Sequence, residues 1–178
     1  QREENLARFL VSRSDRLALL RKTVAGLGYP LPESTMTPEA VEAASLVFHR
    51  LSHDHLIGWK LAVCGLDRRR PPDPGAAGLD GFGRDIGAYL ADAAITLRPA
   101  LGWAIGRVRN MPTFGEIVIA VDTAKAPELS HFEQDPLAIG SYILFDVANT
   151  GAVFNRPNAF HFAVDFALGR YEMPKPPR

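Results

Sequence analysis

The chain has 178 residues, 47% hydrophobic and 22% charged, enough apolar material for one well-filled core, which excludes a chain disordered throughout. Its Lys plus Arg total of 20 equals its Asp plus Glu total of 20, so no net field draws in nucleic acid, and none is expected as a partner. The longest apolar runs, Leu56 to Leu66 and Leu137 to Ala148, carry Lys60 and Asp146 and fall short of the roughly 18 apolar residues of a membrane span.

Between Glu3 and Ala25 the positions Leu6, Phe9, Leu10, Leu17, Leu20 and Val24 recur at helical spacing, with Arg8, Arg13, Arg16 and Arg21 between them. This predicts one or two amphipathic helices, stopped by Gly26 and Gly28 and followed by an extended connector through Pro30 and Pro32. Thr37-Pro38-Glu39 reads as the start of a second helix: a hydroxyl cap, a proline in the first turn and a carboxylate at the positive end. Its apolar stripe is Val41, Ala44, Val47, Phe48, Leu51 and His55. Ile57 to Val63 alternates in a way that fits a strand, but a helix broken at Gly58 is preferred.

Arg68-Arg69-Arg70 followed by Pro71 to Gly75 resists both helix and sheet, and marks a linker over 68–78 between a helical region (1–67) and an α+β unit (79–172). In that unit Phe82, Ile86, Tyr89, Leu90, Ala93, Ala94 and Leu97 predict a third helix ending near Arg98, ahead of Pro99. Trp103 to Val108, Glu116 to Val121 and Tyr142 to Val147 are strand-like and predict an antiparallel meander. A buried last helix is expected over Ala159 to Leu168, with Asn158 as cap, before a loose tail, 173–178. The fold class is therefore α+β: a helical N-terminal half, then helix, antiparallel β-meander and buried C-terminal helix.

His49 and His53 have the i, i+4 spacing with which two imidazoles share a divalent metal, His131, Glu133 and Asp135 being available as third ligands. The competing reading is a solvated helix face, because no His-Glu-x-x-His pattern is present. Gly78, Gly81, Gly83 and Gly87 lie where a third-helix N-terminus could hold an anion, yet Gly83, Gly87, Ala91 and Ala94 form a small-residue stripe suited to close packing. No Gly-x-Ser-x-Gly elbow is present and Ser130 beside His131 is only adjacency. Asp122, Asp146 and Asp165 fit capping or solvation. Cys64, the single cysteine, excludes an internal disulfide, fits a buried thiol and points to a reducing, cytoplasmic setting. Trp59 and Trp103 are expected in the core.

The segment from Asp85-Ile-Gly-Ala-Tyr-Leu-Ala-Asp through Leu101-Gly-Trp103 resembles small bacterial domains, several from actinomycetes, that have no assigned activity. The resemblance implies a glycine-bearing helix packed on an antiparallel sheet, with Gly87 and Trp103 at the matching positions and Ala91 where those domains often have a second glycine.

Together these readings favour a non-enzymatic interaction or accessory protein, immunity-like or an assembly subunit, with a protein partner or a second copy of itself. Its partner-binding ridge would be Leu6, Phe9 and Leu10 if the rest of the chain leaves them uncovered. No cofactor is expected on this reading. The alternatives are a metal-assisted hydrolase using His49 and His53, and a small-ligand carrier with a pocket between the third helix and the sheet.

Overall fold

The computed structural model describes residues 1–34, 37–56, 74–109, 111–122, 124–125 and 132–150, together with Phe160 and Asp165. The expectations for Ile57 to Asp73, including Trp59 and Cys64, for Ser130 and His131, and for most of 151–178 lie outside these residues.

Helix α1 runs Arg2–Gly26 as one continuous helix. It ends where Gly28 takes φ +90, which lets the Tyr29 N–H reach back to Val24 O at 3.0 Å. A side chain at that φ would be strained, so glycine is the residue that closes this end. Helix α2 spans Pro38–Leu56 and is capped as its sequence predicts, Thr37 Oγ1 accepting the Ala40 N–H at 3.2 Å. Its stripe of Val41, Ala44, Phe48 and Leu51 is buried.

Helix α3 spans Pro74–Leu97, so it starts inside the segment expected as linker. Pro74 fits a first turn because its missing N–H would have no helical partner there. Strands β1 (Leu101–Ile105), β2 (Ile117–Val121) and β3 (Glu133–Gln134) form an antiparallel sheet in that order. Trp103 pairs with Ile119, Ala104 with Val118, and Glu133 with Ala120. Helix α4, Pro136–Thr150, completes the described elements.

The meander is therefore present, but its third strand is not Tyr142 to Val147. Those residues are helical, because Asp135 accepts the Ala138 N–H at 2.9 Å and Pro136 occupies the first turn. Leu137, Gly140, Ser141 and Leu144 then fall on one buried face at helical spacing. The strand β3 that replaces the expected one is a polar pair of residues just upstream.

Phe48 organises the larger core cluster, with Tyr89 edge-on at 5.5 Å and Phe160 at 6.1 Å between ring centroids. The same cluster takes Leu20 and Val24 from α1, Ile86 and Leu90 from α3 and Leu144 from α4, joining both sides of the expected linker. A smaller cluster of Ala91, Ala94, Leu101, Ile119 and Phe132 joins α3 to the sheet.

The glycine stripe of α3 serves packing. A Cβ at Gly87 would stand 1.9 Å from Pro136 O, one at Gly83 would stand 2.5 Å from Ser141 Cα, and one at Gly140 would stand 2.3 Å from Gly83 O. Glycine at all three lets α3 and α4 approach backbone to backbone. The helix that carries Gly87 does pack on the sheet, through Ala91 and Ala94, while Gly87 itself faces α4.

Candidate functional site

Strand side chains alternate between faces. Leu101 and Ile119 face α3, which places Gly102, Ala104 and Ala120 on the opposite face together with Glu133, the cross-strand partner of Ala120. Val118 on that face is fully buried, so the open part is the half built from β1 and the end of β2. A groove of about 510 Å³ lies there, and all five residues of β1 line it. Its length follows from the strand: five residues at about 3.4 Å each give roughly 17 Å.

The floor is shallow in side chain. A Cβ added at Gly102 would meet nothing within 4 Å, and Ala104 and Ala120 contribute one methyl each, so main chain is accessible along the groove. Among the described residues no strand pairs with the outer edge of β1. Along that edge the Leu101 N–H donates to Arg98 O at 2.8 Å, and among the described residues no strand takes up the outward main-chain groups of Trp103 and Ile105.

The position of β1 is fixed by Trp103. Its indole Nε1–H donates to Asp92 Oδ1 of α3 at 2.8 Å, and Phe9 of α1 packs against its ring edge-on at 4.8 Å. Arg13 closes this corner, its Nε 3.1 Å from Asp92 Oδ2 and its guanidinium 6.0 Å above the indole. Further along the same seam Arg16 pairs with Asp85 at 2.5 Å and Arg21 donates to the Tyr89 hydroxyl at 2.9 Å. Burial pushes both the Asp85 and the Asp92 carboxyl above their ordinary range, and it outweighs the opposing pull of Arg16 on the first and of the Trp103 N–H and Arg13 on the second. The seam aligns α1 rather than powering its attachment.

The expected ridge on α1 is partly used in this way. Phe9 is engaged with Trp103, Leu6 is half-buried and Leu10 is 39% exposed.

His49 is half-buried and His53 exposed on adjacent turns of α2. Burial, then the neighbouring His53 and Arg50, lower the His49 pKa and favour its neutral ring. His53 Nδ1 lies 3.1 Å from Asp54 Oδ1, while Asp54 Oδ2 accepts the Tyr29 hydroxyl at 2.6 Å. Among the described residues no third metal-ligating side chain joins the two histidines in a cluster. Glu133 instead accepts the N–H groups of Arg107 at 2.9 Å and Val108 at 3.4 Å, and Asp135 caps α4. Asp122 accepts the Ala124 N–H at 3.1 Å in a turn, and Asp165 is helical and half-buried. The interval between α3 and the sheet, where sequence places a ligand pocket, holds packed side chains of the smaller core cluster.

Comparison with protein-family profiles, with curated proteins and with solved structures gives no match. No helix among the described residues is long and apolar enough to cross a membrane.

Proposed function

We propose that this protein is a non-enzymatic interaction protein that binds an extended segment of a protein partner in the groove along β1. The observation that carries this reading is one strand lining a groove along its whole length while its outer edge has no strand partner among the described residues. The outer edge would supply main-chain hydrogen bonds for affinity, and the floor beside it, from Gly102 and Ala104 to Ala120, would receive those partner side chains that turn to this face. Phe9, Trp103 and Asp92 belong to the reading as the groove's support, holding β1 from behind. A rigid edge lowers the ordering cost of binding.

The test is selection of a random octapeptide display library on the folded protein, followed by anisotropy titration of the recovered peptides. Recovered peptides should bind the wild-type chain and lose most of their affinity for Ala104→Trp, which fills the floor. Selection that yields no peptide, or peptides indifferent to Ala104→Trp, would remove the groove from the account.

A further inference from the structure

Four ionisable side chains line the groove: Arg107, Asp122, Lys125 and Glu133. Their formal charges cancel, but three of the four are already engaged. Lys125 Nζ stands 3.4 Å from Asp122 Oδ2 and donates to Pro99 O at 3.3 Å. Asp122 and Glu133 both accept main-chain N–H groups. Arg107 is different: only its backbone N–H is used, and among the described residues its guanidinium has no ion pair or hydrogen bond.

The surroundings of Arg107 strengthen the asymmetry. Arg109 is exposed beside it, and no acidic residue occurs between Gly106 and Gly115. The same turn exposes Val108 to 37%, Met111 to 39% and Phe114 to 38%, with the Arg2 guanidinium 4.7 Å above the Phe114 ring. One end of the groove thus combines the exposed Val108 with a guanidinium that has no ion pair among the described residues, the Glu133 carboxylate beside it being taken up by the Arg107 and Val108 N–H groups. A carboxylate is the group that engages a guanidinium through two parallel hydrogen bonds, and the exposed Val108 in the groove lining gives a flanking residue a place to rest.

Resting on the groove reading above, we infer that the bound segment is acidic: an extended peptide whose Asp or Glu carboxylate pairs with Arg107. The octapeptide selection is run in parallel on the wild type, Arg107→Gln and Arg107→Glu, each first checked for an unchanged melting temperature. Wild-type selection should enrich Asp or Glu at one fixed position, and replacing that residue by its amide should weaken binding about tenfold, as loss of a charge-assisted pair does. Arg107→Gln should erase the enrichment and Arg107→Glu should shift it to Lys or Arg. Octapeptides that bind but show no acidic position overturn the inference while sparing the groove. Recovery of no octapeptide overturns both. A second copy as occupant, seen as a dimer by light scattering that competes with the peptides, overturns the inference. So does binding to phosphatidylserine vesicles in place of peptide.

Discussion

Small residues do opposite work in two parts of this molecule. At Gly83, Gly87 and Gly140 the space a side chain would fill is taken by the backbone of a facing helix, whereas at Gly102 nothing among the described residues stands within 4 Å of it. The first set is used up by the fold; the second leaves a strand's main chain accessible. Residue type alone therefore says nothing about a site, and what stands opposite decides.

Substitution at the two places separates them. Gly87→Val should cost the most, about 3 kcal/mol or more, because a Cβ 1.9 Å from a carbonyl oxygen forces α3 and α4 apart. Chemical denaturation should show this as a large fall in midpoint or as loss of the cooperative transition. An unchanged midpoint would mean that the helices do not meet at Gly87. Trp103→Phe keeps the ring beside Phe9 but removes the donor to Asp92. Its expected cost is about 1–2 kcal/mol, measured by urea unfolding, accompanied by faster amide exchange along β1.

The seam has its own pH signature. The Asp85 and Asp92 carboxyls titrate above the ordinary carboxylate range in the folded chain. Their favourable contribution is therefore fully present below the unfolded-state value and lost as pH rises through the raised folded-state one. Urea unfolding across pH should show the wild type gaining stability relative to the Asp85→Asn, Asp92→Asn double variant as pH falls through this window. A relative loss over the same window would contradict the burial assigned to both groups. Arg16→Ala should have the smallest effect, within about 1 kcal/mol and vanishing in molar salt, since the Arg16 side chain is 46% exposed.

Much of this arrangement is readable in the sequence where a local signal has a local cause. Thr37-Pro38-Glu39 announces α2 because the cap and first turn are built from those residues themselves, and Pro99 marks the end of α3 for the same reason. The reading fails at Tyr142 to Val147, where aromatic and β-branched residues resemble a strand. The decisive signal lies upstream in Asp135-Pro136, a cap followed by a first-turn proline, together with the spacing of Leu137, Gly140, Ser141 and Leu144. Strand β3, Glu133–Gln134, is too short and polar to carry a period. The groove has no linear signature, since Gly102, Ala104 and Ala120 look like any small residues until the pairing of the strands and the alternation of their faces are known. Arg107 becomes distinctive only once Glu133 is seen to be occupied by backbone.

Gly102→Val puts the contrast to its sharpest use. Gly102 has an ordinary strand φ and free space at Cβ, so valine should fold as well as glycine or gain roughly 0.5–1 kcal/mol. Its branched side chain would nonetheless stand in the groove floor. Measured on one sample by thermal unfolding and by anisotropy with a selected octapeptide, the variant should keep or raise its melting temperature while losing tenfold or more in affinity. Undiminished peptide binding by a stably folded Gly102→Val chain would contradict the assignment of this groove as the binding site.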